Sequence, residues 1–572
     1  MTRSCCRNGL ARIGILSLVS ASAIFGAVTA RCANVLTHHN DTARTGANLE
    51  ETALTPATVT NRFGKLFARH VHGQIYAQPL VVSGIEVSNK VRNVVYVATM
   101  ENEVYAFDAD DVREENYLWK TTLGTPVPYN EIPEPLVGEF TGYNINPSIG
   151  ITSTPVIDPV KRRMWAATKI FDQDGSKHYF LKCLDIASGQ VVGSSGDIGT
   201  NENNVVLRAK YALQRPALLL ANNTIYLAFG SHQDIKPYSG WVVAFDADTL
   251  ALKHTYCVTP GDDSGMGGIW QSGSGPAADS QGNIYFMTGN GAFDGAKTNL
   301  STSFIKLSPD LKLVDWFTPW NFQSLSDEDL DLGSSGPMLL PGSEQLVGGG
   351  KQGWLYLLDC NHMGNLQQKH ATPPALQEFK ASDHWTLTWL SWLFPAFGYH
   401  HIHGSPVYWN SAARGPLVYV WPEQTHLKAF SYDPTTHFQT KPVLKGPKAP
   451  KGMPGGFLSI SANGDRDGIL WTTSPLSEDA LTDTVRGVMR AFDALTLQQL
   501  WSTDKNTPDD LFNFAKNCPP TVANGKVYLA TFSDRLNVYG LLPPPPSSPT
   551  AAATGANPPK KKSGHRRPGQ TR

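Results

Sequence analysis

Apolar residues in this chain come in short runs of four to eight, usually alternating with polar ones, and the runs are separated by Pro, Gly, Asn and Asp. That period predicts half-buried β-strands, and helical periodicity is scarce. The runs fall into a recurring order. A Pro or Gly corner leads a short apolar strand, then comes a strand like VYVAT, then one like VYAFDA, then an edge containing Trp. The order is clearest over Gln78–Gly124, with QPLVV, VVYVAT, EVYAFDAD and LWKTTLG. Later copies begin at Pro155, Pro216, Pro276, Pro337, Pro406, near Gly456 and at Pro520. VVAFDADTL at 242–250 and VMRAFDALTL at 488–497 repeat the third-strand signature. From Pro79 to Pro520 the mean spacing is about 63 residues, enough for four strands and their loops, and such a period signals a β-propeller.

The last copy, PPTVANG, KVYLATF and LNVYG, ends one strand short of four. Lys65–Val71 stands ready to supply that strand and close the ring, covering an edge that would otherwise invite aggregation. The expected fold is all-β: an eight-bladed propeller of four-stranded antiparallel blades over residues 64–542, closed by an N-terminal strand, with seven blades as the alternative. Residues 31–63 form a lead-in. A closed ring covers its own edges, so a monomer is expected.

Two segments stand outside the repeat. Residues 367–400 carry HWTLTWLSWLFPAF, in which Trp385, Trp389 and Trp392 share one side of a short helical turn. This segment suits a loop packed over one propeller face; a lid or an apolar contact is the other reading. The tail from Pro543 to Arg572, Pro-rich and then basic, cannot bury a core and is expected to be disordered.

Charge and termini refine the picture. The formal net charge over 572 residues is −1. Residues 1–30 hold three Arg and residues 543–572 three Lys and three Arg, with no acid in either, so the body between them is acidic. An acidic body argues against nucleic acid as a partner. Arg3, Arg7 and Arg12 precede the apolar run Ile13–Val28, and Val28-Thr29-Ala30 offers a cleavage site. Residues 1–30 therefore read as a signal peptide, placing the mature chain in the periplasm or outside the cell. A lipoprotein reading at Cys32 ranks second, because Arg31 is the wrong residue before it. The run Ile13–Val28 is too short for a comfortable membrane span, and no later run reaches that length. Beyond the signal, Cys32, Cys183, Cys257, Cys360 and Cys518 are scattered, unlike a disulfide framework.

The sharpest chemical signal lies in Gly265–Gly295, GMGGIWQSGSGPAADSQGNIYFMTGNGAFDG. Gly267-Gly268-Ile269-Trp270 followed by Thr288-Gly289-Asn290 resembles the fourth-blade segment of the pyrroloquinoline quinone (PQQ) repeat family, which includes the quinoprotein alcohol dehydrogenases. The resemblance covers the propeller as architecture and becomes specific at few positions. It implies that Trp270 stacks beneath the quinone and that Asn290 offers calcium a side-chain oxygen. A flat cofactor wants a flat platform, and calcium wants hard oxygen donors. Gly348-Gly349-Gly350-Lys351 before WLYLLD is similar to the family's segment whose Lys bonds the quinone oxygens, which gives Lys351 that role. Asp234, in Gly230-Ser231-His232-Gln233-Asp234, matches the family's acidic calcium ligand one residue out of register. The acidic run Asp327, Glu328, Asp329, Asp331 lies where these enzymes keep a catalytic carboxylate; Asp331, with Asp329 beside it, is the implied base.

Each of these residues also has a plain structural reading: a blade-packing Trp, a turn Asn, a solvated Lys, a capping Asp, an acidic loop. The chain departs from the family too. Beyond the expected signal peptide it lacks the adjacent Cys pair, and Gln214-Arg215 replaces a Thr or Ser before Pro216. Arg215 suits a cofactor carboxylate or the acidic run equally. His400, His401 and His403 form a further cluster, in which His401 and His403 would share one face of a strand and could bind a metal together, although no third ligand is evident. His38-His39-Asn40-Asp41 is a weaker candidate still. Three readings stay open: a PQQ- and calcium-dependent dehydrogenase of small alcohols or sugars, a cofactor-free scaffold for a protein or polysaccharide, and a hydrolase or lyase using His232, His401 and the channel acids.

Overall fold

The computed structural model describes residues 33–112, 116–133, 144–295, 297–369, 375–383, 400–507 and 510–544. The expected signal peptide, the Trp-rich stretch 385–394 and nearly all of the basic tail lie outside the described residues.

The repeats form eight four-stranded antiparallel blades, as the spacing predicts. The first blade is Leu80–Val87, Lys90–Ala98, Glu103–Asp108 and Trp119–Thr122. The last is Thr521–Ala523, Lys526–Leu529 and Arg535–Leu541, completed by Phe63–His70 from the other end of the chain. That closing strand pairs antiparallel with Arg535–Leu541, from Phe63 opposite Leu541 to His70 opposite Arg535.

The recurring Phe-Asp-Ala signature has a local cause. The Asp ends the third strand, and its Oδ1 accepts the backbone N–H groups two and three residues on, which starts the turn into the fourth strand. Asp108 does this for Asp110 and Asp111, and Asp246 for Asp248 and Thr249; Asp185, in the equivalent Leu-Asp-Ile, does it for Ala187 and Ser188. The second-strand Tyr then ties neighbouring blades together. Tyr96 donates to Ile186 O of the second blade at 2.9 Å, and Tyr419 to Ala494 O of the seventh at 2.8 Å. Trp165 reaches Ala247 O in the same way at 3.1 Å. The amphipathic rings thus bury their faces between sheets and satisfy their polar tips.

The lead-in has a role that its sequence does not announce. Its residues bond in turn to the innermost strand of every blade. Val35 exchanges both backbone bonds with Val81, and Leu36 O accepts from Ile157 N. Thr42 O, Ala43 O, Thr45 O and Gly46 O accept from Ala278, Leu339, Tyr408 and Ile460. Arg44 Nη2 donates to Leu218 O, and Asn48 Nδ2 to Val522 O. The inner edges of all eight sheets are thereby covered by one short polar segment. Gly46 is required within it: its φ is +71°, and a Cβ there would overlap Val407. Among the described residues no helix is long and apolar enough to cross a membrane, and Cys183, Cys257, Cys360 and Cys518 are buried free thiols.

Candidate functional site

The sequence-derived candidates occupy two equivalent places in successive blades: the segment entering the innermost strand, and the turn leaving the second strand. In the third blade these are Arg215 before Leu219–Ala221 and Asp234 after Thr224–Ser231. In the fourth they are Trp270 before Ala277–Ala278 and Asn290 after Ile284–Met287. In the fifth they are Asp329 and Asp331 before Met338–Leu339, and Lys351 after Gln345–Gly349. In a ring such positions face one end of the central axis, and the structure brings these residues together there.

Lys351 Nζ pairs with Asp329 Oδ2 at 2.8 Å and with Asp331 Oδ2 at 2.7 Å. The other Asp331 oxygen accepts the Asn290 backbone N–H at 2.9 Å, and Asn290 Nδ2 donates to Asp329 Oδ1 at 2.9 Å. The Asn290 side-chain oxygen is buried and has no hydrogen-bond donor. Burial works against the Lys351 ammonium, but Asp331 and Asp329 outweigh it and hold its pKa above the usual lysine value. Asp234 meets water on one side and is ringed by protein on the rest. Lost solvation, with Asp331 next in size, pushes its carboxyl up to about 6, and Tyr238 OH donates to its Oδ1.

Trp270 forms a platform because three glycines allow it. A Cβ on Gly230 or Gly268 would lie 2.9 Å from its six-membered ring, and one on Gly289 would overlap both its Nε1 edge and Asp331. Tyr238 meets the ring edge-on at 6.2 Å. Arg215 Nε donates to Trp270 O at 3.1 Å, and the guanidinium carbon lies 5.4 Å from the ring centroid. Burial pulls the Arg215 pKa down to about 10, with Asp331 the largest opposing charge.

The oxygens of Asn290, Asp331, Asp329 and Asp234 are hard donors of the kind calcium takes, and the unpartnered Asn290 oxygen is the atom a cation would satisfy. The flat Trp270 face suits a planar quinone. In kind the donors suit calcium and the ring a quinone, but the three aspartates do not bring one oxygen each within 4.8 Å of one another.

His232 does not join the other histidines. Its Nε2 lies 2.6 Å from Lys169 Nζ, and both are buried between the second and third blades. Burial foremost holds the pKa values of His232 and Lys169 far below their ordinary values. His401 and His403 instead face a residue that sequence reasoning missed, Glu423, in the turn after Gly415–Val420 of the sixth blade. The signal that could have found it is positional: Glu423 stands where Asp234, Asn290 and Lys351 stand in the three blades before it.

No protein-family model matches this sequence, and no curated protein matches it. Among solved structures the fold is that of the propeller dehydrogenases. One match is a quinohemoprotein alcohol dehydrogenase from Pseudomonas putida HK5, with a TM-score of 0.52 and 14% identity over 90% of this chain and 82% of that one. Another is a europium-containing methanol dehydrogenase, with a TM-score of 0.52 and 13% identity over 89% of this chain and 98% of that one. At these identities the likeness establishes the shared fold.

Proposed function

We propose that this chain is an exported PQQ- and calcium-dependent dehydrogenase of small alcohols or sugars. The observation that carries the reading is the unpartnered Asn290 oxygen on a residue bonded to Asp329 and Asp331, beside a Trp platform and a lysine, all drawn from equivalent places in two consecutive blades. When bound, the quinone supplies a hydride acceptor and calcium a Lewis acid. The protein's own residues do the rest. Trp270 fixes the plane of the ring. Lys351 sets positive charge where negative charge grows on reduction. Asp331, fixed through one oxygen by the Asn290 amide, takes the substrate hydroxyl proton. Asp329, with its side chain 63% exposed, lies nearer to solvent and suits the passage of that proton outward. Asn290 and Asp234 furnish cation ligands, and Arg215 offers a guanidinium to a cofactor carboxylate.

The test is a titration of the mature protein with PQQ, with and without calcium, following quinone absorbance and dye reduction across a panel of alcohols and sugars. Calcium-dependent binding that is lost in Asn290→Ala and in Trp270→Ala is expected. Absence of binding at high micromolar PQQ would sink the reading. A second reading, a cofactor-free scaffold for a protein or polysaccharide, draws on Arg215, whose guanidinium already lies over the Trp270 ring. Absence of PQQ binding would leave that reading standing.

A further inference from the structure

The sixth blade carries a second donor set of different chemistry, independent of the quinone reading. His401 and His403 alternate with Ile402, whose side chain is buried in the core, so both imidazoles project to the same side. Glu423 lies between them. Its Oε1 is 3.2 Å from His403 Nε2 and its Oε2 is 3.7 Å from His401 Nδ1. One ligand atom from each residue falls within 4.8 Å of the others. The side chains of Glu423 and His403 are 2% and 4% exposed, and that of His401 is 15% exposed.

Two polar atoms in this cluster, Glu423 Oε1 and His403 Nε2, are buried, lie 3.2 Å apart and make no hydrogen bond. A buried carboxylate oxygen and imidazole nitrogen this close, with no hydrogen bond between them, are placed as ligands of one ion would be. An imidazole to carboxylate hydrogen bond would have been available at this distance with a modest turn of the ring.

The backbone holds the set in place. Ile402 N donates to Gly350 O at 3.2 Å, and Ser334 Oγ donates to Ile402 O at 2.8 Å. Glu423 N donates to His401 O at 2.9 Å, which fixes the two ligand segments against each other. Gly404 packs against Gly456 O so closely that no Cβ would fit.

We propose that His401, His403 and Glu423 form a binding site for a first-row divalent cation of the zinc class. Two imidazoles and one carboxylate are the donors that such ions take, whereas calcium and magnesium prefer oxygen alone. Metal–nitrogen and metal–oxygen bonds of about 2.0–2.2 Å in a tetrahedron put ligand atoms roughly 3.3 Å apart, close to the two separations above. Three protein ligands leave a fourth position open, and the partly exposed His401 marks the side from which water or a small anionic ligand would reach it. Lys351 and Arg215 lie near enough to oppose a cation, but Lys351 is already paired with Asp329 and Asp331. Asp331 and Asp479 act on the cluster in the cation's favour.

The test uses the full mature chain, stripped with a chelator and titrated with cobalt(II), whose visible bands report nitrogen and oxygen ligation in a low-symmetry site. One equivalent is expected to bind, to be displaced by zinc(II), and to raise the melting temperature. Glu423→Gln, which keeps the side-chain shape, should weaken cobalt binding at least about 100-fold. His401→Gln, at the partly exposed ligand, should do the same and serves if Glu423→Gln does not fold. Asn290→Ala should leave the cobalt spectrum unchanged, which separates this site from the oxygen site beside it. A chain that shows no cobalt bands at one equivalent overturns the proposal. So does one whose bands survive Glu423→Gln and His401→Gln but vanish in Asp331→Asn.

Discussion

Arg44 and Lys351 are both cations withdrawn from bulk water near the axis of the ring, and they are held in opposite ways. Arg44 is fully buried and meets neutral acceptors: Pro276 O at 3.0 Å, Thr37 Oγ1 and His38 O at 2.8 Å, and Leu218 O at 3.2 Å. Its nearest carboxylate, Asp41, is spent on the N–H and hydroxyl of Thr45. Lys351 stays 16% exposed and meets two carboxylates. Carbonyls fix a guanidinium by geometry and leave it nothing to exchange. Carboxylates that share a lysine can be taken over by another cation. The hub around Arg44 is built to hold eight blades together, and the rim around Lys351 to respond to what arrives.

The largest expected effect tests that contrast directly. Arg44→Met leaves four acceptors without a donor, two in the hub and two just before inner strands, at about 1–3 kcal/mol each. A loss above about 4 kcal/mol is expected, measured by chemical denaturation. Lys351→Met should cost less, and calcium should restore it by neutralising Asp329 and Asp331. A larger loss at Lys351 than at Arg44, or no calcium effect on the Lys351→Met melting temperature, would erase the distinction.

The hub also predicts acid sensitivity. His38 and His39 stack at 4.4 Å beside Arg44. Burial first, then Arg44, holds His39 down to about 4, and burial with His39 and Arg44 holds His38 well below its usual value. Unfolded histidine takes up its proton near pH 6.5, whereas folded His39 does so only near 4. Stability is therefore complete above about pH 6.5 and falls as pH drops toward 4, by roughly 3 kcal/mol from His39 alone. In His39→Gln the melting temperature should depend less steeply on pH across that window. An unchanged slope would mean that the imidazole is not sealed in the hub.

How much of this was legible follows from the same comparison. The blades could be read because each repeats the same causes: a corner Pro, alternating strands, and an Asp that starts the turn after its strand, as at Asp108 and Asp246. The convergence of Trp270, Asn290, Asp331 and Lys351 was legible through the family resemblance, since each stands beside glycines that let backbones approach. The hub was not. Its contacts are mostly backbone to backbone, so THHNDTARTGAN needs no apolar pattern to be buried. Glu423 was missed for another reason: an acid after Trp421-Pro422 carries no motif, and its distance in sequence from His401 follows from blade length rather than from ligand chemistry. Superimposing the repeats, rather than searching for motifs, would have placed it beside Lys351 and Asn290.

Gly289 sits where platform and carboxylate meet. Gly289→Ala puts a methyl group against both Trp270 Nε1 and Asp331 Oδ1, and Asp331 cannot move without losing the Asn290 N–H and Lys351. A loss of about 1–3 kcal/mol is expected, together with weaker PQQ binding than in the parent chain. Intact binding with the same destabilisation would show that the Trp270 ring is blade packing and no platform.

Asn290→Ala should change stability least, which makes it the most informative. The substitution removes the Nδ2 bond to Asp329, on the solvent side of the cluster, and also removes a buried oxygen that has no donor. The lost bond costs about 1 kcal/mol and the removed orphan returns a similar amount, so the metal-free melting temperature should move by no more than about 1 kcal/mol in equivalent stability. Calcium should nevertheless stop raising it. An ordinary turn asparagine would give the reverse, a clear loss of stability with the calcium response intact. The two outcomes differ on both axes because a ligand oxygen held without a partner costs the empty protein something and stabilises only the loaded one.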